Sequence, residues 1–189
     1  MEVLEAIKTR RSIRRYKSTP VDDKTLEQVL EAARWAPSWF NTQCWRFIVV
    51  RDVDTKSALV GALNSTRADG SNHASEATRN APVVIVACAQ LGASGYYRGE
   101  VNTDKGDWFM FDVALAMQNL ALAAHSFGLG TVHVGAIDAG KIAKILNVPE
   151  GLAVVEVMPL GYPDQEAKAP PRKELSEIVF YEKFPTAQE

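Results

Sequence analysis

Apolar residues recur every three to four positions in some stretches of this chain and run almost unbroken in others, and the alternation divides it into helices and strands. Val3, Leu4 and Ile7 share one side of a short predicted helix from Glu2 to Lys8. Leu26, Val29, Leu30, Ala33 and Trp35 keep helical spacing in a second helix ending at Arg34, with Asp22 or Asp23 as its cap. Pro20 breaks the chain before that helix. Pro37 ends it, because the residue before a proline is pushed out of helical geometry. Trp45 to Val50 and Pro82 to Ala89 are compact runs of strand character, and the second is so uniformly apolar that it predicts burial on both faces.

Between those strands, Thr55 to Leu63 predicts a modest helix, and the polar stretch 64–80, centred on Gly70, Ser71 and Asn72, predicts a connection that regains helix near its end. Residues 91–106 predict a second long loop, of the kind that borders a binding site or lacks order. Asp107 to Phe127 is the longest predicted helix. Phe111, Ala114, Leu115, Leu120, Leu122 and Ala123 are spread so widely around it that it should be nearly enclosed, and Gly128 stops it. A strand over Val132 to Gly135, a helix over Ala139 to Leu146 and a strand over Ala153 to Leu160 complete the pattern. Uneven connections favour an α+β, three-layer arrangement over a regular doubly wound sheet.

With 189 residues, of which 47% are hydrophobic, the chain suits a single domain spanning 1–189. The tail from Pro163 onward is rich in proline and ends in Phe180, Tyr181 and Phe184. It cannot build its own core, so it should dock on a partner subunit or back on its own domain. Without a signal-peptide pattern or a long apolar run the expected location is cytoplasmic, with no membrane association. Cys44 and Cys88 stand far apart and His73, His125 and His133 are scattered, so no metal site is expected.

Charge then sharpens the picture. Lys and Arg total 21 against 23 Asp and Glu, a net charge of −2, yet four arginines fall within Arg10, Arg11, Ser12, Ile13, Arg14 and Arg15. A local cationic cluster in a balanced protein points to a small anion, such as a phosphorylated ligand, more than to nucleic acid. The alternative is a solvated basic helix end. A second segment, Pro37-Ser38-Trp39-Phe40-Asn41-Thr42-Gln43, sets polar groups beside aromatic faces. It suits a flat heterocycle, or a loop that satisfies its own backbone. Phosphate-loop, nucleophile-elbow and zinc-protease motifs are absent, and Gly128-Leu129-Gly130 lacks the third glycine of a dinucleotide fingerprint.

Taken together and in order, the arginine-serine cluster, the segment Ala36 to Phe47, Asp112 with Gln118-Asn119-Leu120, and Gly128-Leu129-Gly130-Thr131 resemble the FMN-dependent nitroreductase family. The resemblance implies a three-layer α-β-α fold on a mixed, mainly antiparallel sheet, and a homodimer with FMN at the interface. It assigns Arg10, Arg11, Ser12 and Arg14 to the phosphate, ribityl chain and pyrimidine edge, and Arg172 to the phosphate. Pro37, Ser38, Trp39, Asn41 and Gln43 would approach the ring from the other subunit. Val132, His133, Val134 and Gly135 would pass the ring, with the amide of Val134 or Gly135 donating to flavin N5, while Asn72 and His73 are suggested by loop position alone.

The implied activity is ping-pong transfer of hydride from NADH or NADPH to a nitroaromatic, quinone or activated alkene, with no catalytic side chain needed and Arg14 tuning the ring. Non-catalytic flavin storage, flavin destruction and dehalogenation are the alternatives within this resemblance. Two positions depart from the family pattern. Cys44 replaces a common proline, and Trp39 replaces a small residue and would narrow the pocket or stack on a flat substrate.

Overall fold

A computed structural model describes residues 1–184. Its centre is β2 (Val83–Gln90), which pairs antiparallel with β1 (Trp45–Val50) on one edge and with β6 (Leu152–Gly161) on the other. β5 (Gly130–Thr131) adds to β6 and completes a four-stranded sheet of order β1-β2-β6-β5. Every ladder in that sheet is antiparallel; the parallel element is a single bridge from Ser12 to Thr131.

The even pleat of β2 explains the layering. Val83, Ile85, Ala87 and Ala89 face one core with α2 (Asp23–Arg34) and α5 (Phe109–Ser126). Val84, Val86 and Cys88 face another, beneath α3 (Val53–Val60), α4 (Ser75–Asn80) and α6 (Ala139–Ile145). In β6 strict alternation fails. Cys88 pairs with Val154 while Ala87 pairs with Glu156, so Val155 is an extra residue that lets both Val154 and Val157 face the second core.

Asp22 caps α2 through a 2.9 Å bond from the Thr25 amide, and Gly128 ends α5 at a φ of 76°. Both were legible as caps. Four expectations change. The strand expected over 132–135 is displaced to Gly130–Thr131, and only Val134 keeps a bridge, to Val157. Residues 91–106 contain a small hairpin, β3 (Tyr96–Tyr97) with β4 (Glu100–Val101). Trp35 is not a core residue: it lies at the end of α2, 74% exposed, with its Nε1 donating to Glu31 and Arg34 over its ring. The long helix α5 is open along Met110, Phe111, Ala114 and Gln118, because no element among the described residues covers that side.

The tail continues from β6 and ends its regular structure in α7 (Leu175–Ile178). Phe180 and Phe184 meet in a tilted pair with centroids 4.5 Å apart, and with Tyr181 they face solvent, so the tail does not dock its aromatic end on its own domain. Residues 185–189 of the expected tail lie outside the described residues. Among the described residues no helix is long and apolar enough to cross a membrane.

The N-terminal stretch is laid against β5 by backbone bonds, with the Ile13 amide donating to the Thr131 carbonyl at 2.9 Å. That approach needs a bare backbone at Gly130, where an added Cβ would meet Ile13 Cγ1 at 2.5 Å. Gly130→Ala is therefore expected to cost about 1–3 kcal/mol through overpacking. The checks are a lower denaturation midpoint and faster tryptic cleavage after Arg14 and Arg15; an unchanged midpoint would contradict the tight packing.

Candidate functional site

α1 (Val3–Thr9) ends just before the arginines, and Arg11 Nη1 closes it by donating to the Lys8 and Arg10 carbonyls at 2.7 and 2.8 Å. The chain then turns extended and is fastened to the start of the tail. Lys17 donates its amide to Tyr162, Asp164 donates to Arg15, and the side-chain oxygen of Gln165 accepts the amides of Arg14 and Arg15 at 3.1 and 2.9 Å. These bonds bring Arg172 and Lys168 across from Arg10, Arg11, Ser12 and Arg14 around a cavity of 320 Å³. Its lining contains five cations and no acid.

Arg10 is the key group there. Its Nη1 is buried and has no hydrogen-bond partner among the described residues, and a buried guanidinium donor without an acceptor is costly. Burial, then the charges of Arg11 and Arg172, push its pKa below the usual arginine range. All of these strains are relieved by an anion. His125 lies at the same wall with Nε2 at 2.8 Å from Thr9 Oγ1, whose own proton goes to the Glu5 carbonyl, so the imidazole donates. Burial and the neighbouring Arg10 and Arg11 push its pKa down, which keeps it neutral.

Arg14 also lines a second cavity, of 240 Å³, together with Thr66, Asn72, His73 and the stretch Val132–Ala136. The structure thus brings Asn72 and His73 beside the expected strand residues. Asn72 is mostly spent on architecture: its Nδ2 donates to the Asn64 and Ala136 carbonyls and its Oδ1 accepts the Ala74 amide. His73 meets Thr66 at 3.0 Å, and His133 pairs with Glu156 at 2.8 Å. The Val134 amide is taken by the Val157 carbonyl at 3.0 Å, so of the two amides expected to serve a ligand only that of Gly135 is without a backbone partner among the described residues.

Pro37, Ser38, Trp39, Asn41 and Gln43 form a separate group, and none of them lines either cavity within one chain. A tight 3₁₀ turn (Trp39–Asn41) carries them, with positive φ at Phe40, Asn41 and Gln43 (44°, 57° and 45°). Positive φ at bulky residues is a strained choice that surrounding bonds must enforce. Ser38 Oγ accepts the Gln43 amide at 2.9 Å, and Asp112 accepts the Trp39 amide with both carboxylate oxygens at 3.2 and 3.1 Å. The same carboxylate, 1% exposed, accepts Ser94 at 2.7 Å and lies 3.8 Å from Cys44 Sγ. Burial and the Asp112 charge push the Cys44 thiol up to about 11, so it is no nucleophile at neutral pH. The side chains of Asn41 and Gln43 make no hydrogen bond among the described residues and point to no internal use.

Sequence reasoning missed Gln165, Lys168 and Ser94. None sits in a motif; each acquires its role from a contact more than fifteen residues away along the chain.

Comparison with known proteins agrees with this arrangement. The nitroreductase family profile matches residues 7–162. An NADH dehydrogenase of Thermus thermophilus is 32% identical over 197 residues, which cover 91% of this chain and 92% of that protein. The crystal structure of a nitroreductase family protein from Clostridium novyi superposes with a TM-score of 0.75 at 35% identity, covering 86% of this chain and 87% of that one. A structure of oxidised iodotyrosine deiodinase bound to FMN and 3-iodo-L-tyrosine superposes with a TM-score of 0.80 at 25% identity, covering 97% and 100%. The order of motifs, the three layers and these likenesses converge: the chain belongs to the nitroreductase family.

Proposed function

We propose that this protein is an FMN-dependent oxidoreductase that uses NADH or NADPH to reduce an electron-poor acceptor such as a nitroaromatic, a quinone or an activated alkene. The observation that carries the reading is the cavity of five cations and no acid around the buried Arg10 Nη1, which has no hydrogen-bond partner among the described residues. A phosphate fits it, because its oxygens would accept from Arg10, Ser12 and Arg172 and neutralise guanidinium groups that otherwise repel one another. Arg14 connects that cavity to the slot along Val132–Ala136, a path suited to a ligand with a phosphate at one end and a flat polar ring at the other.

FMN, when bound, supplies the two-electron carrier. The protein's part is to hold and bias it. Arg14 sets positive charge at the junction of the two cavities, which favours an electron-rich ring. The Gly135 amide, without a backbone partner among the described residues, offers a neutral donor at the slot, and the neutral His125 adds no further charge to the arginine wall. Cys44 and Asp112 are committed to the turn that carries Trp39.

A second copy would complete the site. The Pro37–Gln43 turn carries unused polar side chains remote from the arginine cavity, and the open surface of one chain includes Val3, Leu4, Ile7 and Trp35 beside an apolar cleft of 410 Å³ reaching Leu122. A homodimer buries these residues and offers its turn to the neighbour's slot, with the aromatic tail reaching across the same interface. The likeness to iodotyrosine deiodinase favours reductive dehalogenation as a second reading, which product analysis with a halogenated phenol distinguishes from nitro or quinone reduction.

Purified protein should show a flavin absorbance that bleaches on addition of NADH or NADPH; a colourless protein that ignores added FMN would sink the proposal. Arg10→Ala and Arg172→Ala should each weaken FMN binding about 10- to 100-fold, the loss of one charge-assisted contact, read by fluorescence titration. Co-expression of an Arg10→Ala/Arg14→Ala chain with an Asn41→Ala/Gln43→Ala chain tests the shared site. Mixed dimers should regain one intact site and measurable activity, whereas groups acting within one chain would give no recovery.

A further inference from the structure

Phe40, Tyr97 and Arg98 form a short exposed stack that the cofactor site leaves unused. Phe40 lies at the tip of the strained 3₁₀ turn, 69% exposed, and stacks on Tyr97 with centroids 5.2 Å apart and planes at 28°. Arg98 covers Tyr97 at 5.2 Å from guanidinium carbon to ring centroid. Arg98 and Gly99 close the β3–β4 hairpin with φ of 53° and 82°. Two successive positive φ angles normally select Asn-Gly or Asp-Gly, so an arginine at the first of them is an unfavourable choice for the turn alone. Two independent loops thus each hold a bulky residue in left-handed backbone, and those residues meet in one stack.

Trp39 stands behind it, 5.6 Å from Phe40 and 6.3 Å from Trp108, and gives the stack a firm base. None of the ion pairs among the described residues involves Arg98. An aromatic face ending in a guanidinium that makes no ion pair among the described residues is complementary to a planar ring bearing an anionic group.

We propose that the Phe40–Tyr97–Arg98 stack is the acceptor-recognition wall, and that the preferred acceptor is a planar aromatic compound carrying a carboxylate or similar anion. The ring lies against Phe40 and Tyr97, and Arg98 takes the anionic group. This rests on the reading that the Pro37–Gln43 turn borders the flavin of a second copy. Trp39, larger than the residue common in the family at that position, acts here as the support that holds Phe40 outward.

The test compares 4-nitrobenzoate with 4-nitrobenzamide, a neutral compound of nearly the same shape, as ligands of the oxidised holoprotein without NADH, by fluorescence quenching. Wild-type protein should bind the carboxylate more tightly. Arg98→Gln should weaken 4-nitrobenzoate about 5-fold and leave the amide unchanged, the scale of one partly exposed ion pair. Phe40→Leu, which keeps an apolar side chain on the turn, should weaken both ligands several-fold. Equal binding of the two ligands by wild-type protein, or equal loss in Arg98→Gln, overturns the inference. Bleaching of the bound flavin by NADH is measured separately, so a protein that bleaches without the carboxylate preference refutes the wall alone, and one that holds no flavin refutes both readings.

Discussion

The pairing of β2 on both edges, with an apolar core on each of its faces, is the constraint from which the rest of the molecule follows. Its residues 83–89 are all buried, so every backbone donor and acceptor must be met by a neighbouring strand and every side chain by a roof. β1 and β6 meet the first demand. The helices meet the second, with α2 and α5 above and α3, α4 and α6 below. Once that stack exists, β5 is added at the edge of β6, and the bare backbone of Gly130 is where the N-terminal arginines can be laid down.

That placement creates an electrostatic conflict that the fold itself leaves unresolved. The tail returning from β6 is bonded to the same segment through Gln165, and it brings Arg172 and Lys168 across the cavity from Arg10, Arg11 and Arg14 with no carboxylate in the lining. Most charged clusters on protein surfaces relieve themselves in water. Here Arg10 Nη1 is shut away from solvent, and its lowered pKa records both the burial and the repulsion. The opposite solution appears at Asp112, a buried carboxylate whose charge is spread over the Trp39 amide and the Ser94 hydroxyl. One buried charge is fully employed in shaping a turn, and the other is open for a ligand.

Strain follows the same division. Positive φ at Phe40, Asn41 and Gln43 sits beside Asp112, which supplies the bonds that hold it, and positive φ at Arg98 sits in a two-residue hairpin turn. Both loops approach the open side of α5, where Phe111 is exposed and Trp108 packs against it at 5.3 Å. The surface that the single chain leaves uncovered is therefore contiguous with two of the segments that hold non-glycine residues at positive φ.

Local patterns in the sequence determined the two long strands, the capped start of α2, the glycine stop of α5 and the arginine-serine cluster, because each depends on periodicity or on residues a few positions apart. Trp45–Val50 was legible to the residue, since a short run of β-branched and aromatic residues interrupted only by Arg46 has few other solutions. The displaced strand at Gly130–Thr131 was not: Val132 to Gly135 has strand composition, but the Val155 bulge in β6 and the N-terminal segment beside Thr131 decide where pairing runs. Trp35 read as core by spacing and faces water because α2 ends there. Arg172 was placed beside Arg10 by the family resemblance, but only tertiary structure could add Gln165 and Lys168 to them, or tie Asp112 to Trp39 across 73 residues, because those contacts are selected by packing of whole elements and leave no mark on local sequence.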